Sequence, residues 1–133
     1  MSDNYENLYR YCSNLGFSIE RSERFDSFGD YIIEACSSHF CVKGVSDRSI
    51  ESIEFRSSKD PTNWFISNIV MSLVYQKEEL IVEPTLDMEM KFLETHLDDL
   101  ASIFDAEIYD ETKTRLQELA FRRGRILFPE RVQ

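Results

Sequence analysis

Cys36, His39 and Cys41 fall in the order C-x-x-H-x-C within "ACSSHFCV". Thiolate and imidazole are zinc ligands, but a closed zinc site takes four of them in paired spacing, so this trio is incomplete unless Cys12 or His96 joins it. The same residues could pair a cysteine nucleophile with a histidine base. That chemistry needs an activating cationic pocket or an orienting third group, and the sequence supplies neither. The plainer reading makes Cys36 and Cys41 hairpin residues and His39 a turn residue. Carboxylates are too plentiful to single out an acid–base pair, and among four glycines no phosphate-binding loop can be traced. The expectation is therefore a protein without catalytic residues, metal or cofactor, and not an enzyme.

The distribution of charge carries more information. The chain has 133 residues and a net charge of -10. Between Glu78 and Glu111 twelve acids stand against Lys91 alone, a balance of -11, so the remainder of the chain sums to +1. Asp87, Glu94, Asp98 and Asp105 recur at intervals of seven, four and seven, which places them along one side of a single long helix over 86–104, with Asp105 at its C-terminal end. Like charges four apart, as at Glu94 and Asp98, destabilise a helix by roughly 0.2–0.5 kcal/mol. Acids near a helix C-terminus, such as Asp105, oppose its dipole. A solvated face that keeps the protein soluble is one reading. The other is a docking surface for a basic protein, built from Asp87, Glu94, Asp98, Asp99, Asp105 and Glu107. Direct nucleic-acid binding is not expected, because phosphates need Lys/Arg clusters and only Arg122, Arg123 and Arg125 approach one.

The elements that must position these residues follow from periodicity. Tyr5, Leu8, Tyr9, Cys12 and Leu15 recur at helical spacing, and Gly16 stops that helix. From Phe17 the period becomes two: Phe17 and Ile19, Tyr31 and Ile33, Phe40 and Val42, Ile53 and Phe55 mark four short strands. Short turns at 26–29, 37–39 and 46–49 favour an antiparallel meander, with Glu20, Arg21, Glu34, Lys43, Glu54 and Arg56 on its wet face. In "SKDPTNWFISNIVMSLVYQ" Asp60 is read as an N-cap and Pro61 as the first helical residue. The helix that follows is apolar almost all round, with Trp64 in the core, and so lies buried between layers. Leu86, Met90, Leu93, Leu97, Leu100, Ala101 and Phe104 form the inner stripe of the long helix. A last helix is read over 111–123, capped by Asp110, stopped by Gly124, with Leu116, Leu119 and Ala120 inward.

One α+β domain covers 1–133: a helix over 1–16, a four-stranded antiparallel sheet over 17–58, a helical layer over 60–123 and a tail over 124–133. The opening MSDNYENLYRYCSN lacks the features of a signal peptide, and the apolar stretch 64–75 is too short to span a bilayer. A cytoplasmic protein with no membrane contact is expected. Three cysteines make no disulfide framework, so reduced thiols are the default.

The run "FCVKGVSDRSIESIEF" followed by "SSKDPTNWFISNIV" resembles small bacterial immunity proteins of polymorphic-toxin and contact-dependent growth inhibition systems. The matching positions are Phe40, Val42, Asp47, Arg48, Ile53, Phe55, Asp60, Pro61, Asn63 and Trp64, about a quarter of the chain when the run is taken whole. The resemblance implies a non-enzymatic protein that binds the C-terminal domain of a cognate toxin, often a basic nuclease, and blocks its active site. The acids between Asp87 and Glu107 would then stand in for a nucleic-acid backbone. A non-toxin adaptor or regulatory module is the alternative reading.

Overall fold

The computed structural model describes residues 4–25, 29–48, 50–75 and 84–127. Its order is α1 (Asn4–Asn14), β1 (Ser18–Arg24), β2 (Tyr31–Cys36), β3 (Phe40–Asp47), β4 (Ile50–Ser57), β5 (Phe65–Ile66), α2 (Ser67–Tyr75), α3 (Leu86–Thr95), α4 (Leu97–Ile103) and α5 (Tyr109–Leu127). The class is α+β. The strands form an antiparallel sheet in the order β1-β2-β3-β4-β5. Four of them are those marked by the two-residue period, and a fifth is added.

Helix α1 ends as its sequence requires. Gly16 takes φ 87°, and the Phe17 amide donates to the Cys12 carbonyl at 3.1 Å, so the terminal carbonyls are satisfied through a left-handed residue. Leu8 and Cys12 are buried beneath this helix. Alternation then sends Tyr31, Ile33, Ala35, Phe40, Val42, Ile53 and Phe55 to one face of the sheet. That face carries the helices: Leu8 lies over Gly44, Phe92 meets Phe55 edge-on with ring centres 6.1 Å apart, and Phe104 stacks on Phe40 at 6.1 Å. Leu93, Leu100, Leu116 and Leu119 complete the same core.

Several expectations are corrected. Asp60 does not cap a helix. Its carboxylate accepts from Asn63 Nδ2 at 2.9 and 2.8 Å and from the Tyr109 hydroxyl at 2.6 Å, so it closes a turn and ties that turn to α5. Chain 64–66 stays extended because Phe65 turns inward beside Phe55 and adds a short strand to the β4 edge. The helix begins only at Ser67, and Trp64 sits half-buried outside it.

The helix expected over 86–104 is two helices, broken at His96, which has φ -117° and ψ 31°. The inner stripe survives the break, with Leu93, Leu100 and Phe104 buried. Helix α5 runs from Tyr109 through Gly124 to Leu127, so Gly124 is not a stop; one glycine costs a helix about 1 kcal/mol, which neighbouring turns can carry. Leu116 and Leu119 are buried as expected, but Ala120 is exposed. The rest of the proposed tail, 128–133, and the proposed turn at 26–28 lie outside the described residues.

The cysteines supply a further correction. Cys36 and Cys41 are registered partners across the β2–β3 hairpin and are joined by a disulfide, while Cys12 is a free buried thiol. No helix among the described residues is long and apolar enough to cross a membrane.

Candidate functional site

The acidic residues are distributed by the break at His96 into three places. Asp87 and Glu94 are exposed on α3, two turns apart on one side. They face α1, where Asp87 borders a groove with Asn7, Arg10 and Tyr11. The Tyr11 hydroxyl donates to the Met90 carbonyl at 2.8 Å, which locks the two helices together. Burial first, and then the Glu94 carboxylate, raise its pKa above the ordinary phenol range.

Asp98 and Asp99 occupy the first turn of α4. Asp99 Oδ2 lies 2.9 Å from His96 Nδ1, and the imidazole is held edge-on to Tyr75, with ring centres 5.1 Å apart. The break has an electrostatic consequence. Asp98 and Asp99 stand in an N-terminal turn and not in a helix interior, and negative charge is favoured there.

Asp105 and Glu107 follow α4. Asp105 Oδ1 accepts the Glu107 amide at 2.9 Å, and its Oδ2 is 4.0 Å from His39 Nδ1 at the tip of the β2–β3 hairpin. All six acids of the predicted surface are accessible: Asp105 is half-buried and the others are exposed. Asp87, Glu94, Asp98 and Glu107 have no Lys or Arg within ion-pair distance among the described residues. Of the twelve acids counted between Glu78 and Glu111, Glu78, Glu79 and Glu83 lie outside the described residues, and Glu89, only 2% exposed, belongs to the interior.

Glu89 was not legible as a special residue, since it is one acid among many. In the fold its Oε2 accepts the Ile53 amide of β4 at 2.9 Å and the Ser67 hydroxyl at the start of α2. Strand β5 pairs with β4 only through Glu54 and Phe55, so the carboxylate takes the next hydrogen bond along the open edge. Desolvation raises its pKa, against the lowering effect of the Ser67 and Ile53 hydrogen bonds.

The second surface is the face of the sheet opposite the helices. Register places Arg21, Glu34, Lys43 and Glu54 in one cross-strand row of alternating sign. Lys43 Nζ is 3.4 Å from Glu54 Oε2. Trp64 lies over this row, with Lys43 Nζ 4.4 Å and the Arg56 guanidinium 5.1 Å from its ring centre. The expectation of a core tryptophan is thus corrected: cation–π contacts hold it on the outer face.

The C-x-x-H-x-C motif does not converge as a metal site. Its two sulfurs are bonded to one another, His39 points to Asp105, and Cys12 and His96 lie elsewhere. No group of three or more His, Cys, Asp or Glu side chains is gathered to hold a metal among the described residues. No protein-family model matches the chain, nor does any curated protein or solved structure.

Proposed function

We propose that this chain is a binding protein of the immunity type, which neutralises the basic C-terminal domain of a cognate toxin, a nuclease in the simplest case, without performing chemistry itself. The observation that carries the reading is the concentration of unneutralised acids on accessible positions of α3, α4 and the turn after α4, against a remainder of the chain that is nearly neutral. Such a field accelerates encounter with a positively charged surface and penalises partners of like charge. The resemblance of 40–70 to immunity proteins supports the same partner class, although the segment expected to start a helix at Asp60 forms a turn and short strand.

The test begins with the full chain immobilised at low salt against lysate and secretome of the source organism, eluted with stepped NaCl. A basic toxin fragment that elutes as salt rises, and whose toxicity co-expression of this chain suppresses, is the expected result. Reversal of Asp98 and Asp99 to Lys should slow association about tenfold and flatten its salt dependence. Suppression of toxicity with an unchanged association rate would move the interface off the acids. Failure of any bound toxin to be suppressed would reject the immunity reading.

A further inference from the structure

We propose that Cys36 and Cys41 form a reversible dithiol/disulfide site on the face of the sheet opposite the helices, reached from solvent through Cys36 and exchanging with small thiols and disulfides of the glutathione class. The inference is independent of the acidic surface. It starts from hairpin register. The Ser37 amide donates to the Phe40 carbonyl at 2.9 Å, closing a two-residue loop at Ser38 and His39. Ser37 Oγ accepts the His39 and Phe40 amides at 3.3 and 3.2 Å, so the loop is held by its own side chain. The next pair along the ladder is Cys36 and Cys41, a non-hydrogen-bonded pair, in which opposite side chains approach most closely and leave the same face. The two sulfurs therefore meet through backbone geometry that the hairpin already fixes.

The bond adds little that the fold lacks. It links residues five apart, and short closed loops restrict the unfolded chain least. The β2–β3 and β3–β4 ladders, with six and eight registered pairs, hold the same strands without it. A cross-link so placed is suited to being made and broken in the folded protein.

The two sulfurs are not equivalent. Cys41 is 1% exposed, and its Sγ lies 3.9 Å from the Ser58 hydroxyl. Cys36 is partly accessible, and Arg56 Nη2 lies 3.9 Å from its Sγ. The guanidinium is itself fixed by the Ser57 carbonyl at 3.0 Å and by the Trp64 ring. A fixed cation beside a thiol favours the thiolate, the reactive form. Cys36 is thus the attacking sulfur and Cys41 the resolving one. In the oxidising direction the Cys36 thiolate attacks one sulfur of oxidised glutathione, and one glutathione leaves as thiolate. Cys41, losing its proton to solvent, then attacks Cys36, and the second glutathione leaves. One small disulfide becomes two thiols as one protein dithiol becomes a disulfide, so atoms and electrons balance. Cys12 stays outside the cycle, because burial pushes its pKa up to about 11.

The test equilibrates the full chain with glutathione buffers of graded redox ratio, followed by acid quench, alkylation and mass spectrometry. Expected are interconversion of the Cys36–Cys41 pair at intermediate ratios, an unchanged far-UV circular dichroism spectrum in both forms, and alkylation of Cys12 only after denaturation. In the C41S variant glutathione should be trapped on Cys36, whereas C36S should gain no adduct at Cys41. In reduced protein Arg56→Gln should slow alkylation of Cys36 about threefold or more. A pair that stays reduced at every ratio, or loss of the folded spectrum on reduction, would overturn the proposal. An adduct on Cys41 in C36S would reverse the assignment of roles, and an unchanged rate in R56Q would remove Arg56 from it.

Discussion

Two carboxylates show how one residue type is bent to opposite ends by its surroundings. Asp60 is held below its ordinary pKa of 3.8, first by the Tyr109 hydroxyl and then by Asn63, with Lys113 Nζ 3.6 Å away. A depressed pKa stabilises the fold above the unfolded value, and that stabilisation is lost as pH falls through the folded value. Asp60→Asn should therefore cost about 1.5–3 kcal/mol at neutral pH, the usual worth of hydrogen bonds to a charged group. The gap from the parent should close in acid, measured by urea unfolding from pH 7 downward. Glu89 runs the other way. Its pKa is raised from 4.5 by burial, so the folded state binds the extra proton and stability declines as pH rises from 4.5 through the folded value. Glu89→Gln keeps an acceptor for Ile53 and should abolish that decline, whereas Glu89→Ala should abolish it too but cost about 1–3 kcal/mol in acid by orphaning the Ile53 amide, a gap that narrows as pH rises and the parent loses stability. Parallel pH series on the two variants separate these outcomes. Neither role could be read from the sequence, because both depend on partners distant along the chain: Tyr109 for Asp60, and Ile53 and Ser67 for Glu89.

At the scale of elements, the strands were legible because one face is dry and the other wet, which stamps a two-residue period on 31–57. The helix read over 60–75 failed for the converse reason. In "WFISNIV" nearly every position is apolar, so the alternation of Trp64, Phe65 and Ile66 is hidden inside a pattern equally compatible with a buried helix. The break at His96 carries no Gly or Pro to announce it, and there the imidazole packs against Tyr75 and Phe92. Gly44 shows what the close approach of α1 to β3 demands. A methyl group added there would lie 2.1 Å from Leu8 Cδ2, and Leu8 is wholly buried. Gly44→Ala should lower stability by about 1–3 kcal/mol, the range for overpacking. In a Leu8→Ala background the same change should cost less, because the two side chains compete for one space. Equal costs in both backgrounds, in a denaturant double-mutant cycle, would mean that the strand moves instead of the leucine.

For the molecule as a whole, the positions of the acids were legible, since accessible charge needs only a count along the chain. Their continuity was not, because it assumed an unbroken helix over 86–104. Their mutual repulsion should be visible in stability. Raising ionic strength from about 0.01 to 0.15 M shortens the screening length from about 30 to 8 Å. The thermal midpoint should then rise, by about 2–5 °C for a gain near 1 kcal/mol. A flat response in NaCl titrations by differential scanning calorimetry would mean that the three acidic groups are already far enough apart to ignore one another.

The two margins of the sheet constrain how this protein can associate. At one margin β1 is exposed along nearly its whole length, carries Glu20, Arg21, Glu23 and Arg24, and is irregular between Ile19 and Arg21. At the other, β5 is two residues long, and the Glu89 carboxylate occupies the amide beyond it. Charge, a register irregularity and extreme shortness are the means by which proteins prevent strands from adding to an edge. Both margins among the described residues thus carry features that disfavour the addition of another strand. On such a sheet the faces and helices, recognised through side chains, offer a partner more than the strand edges do.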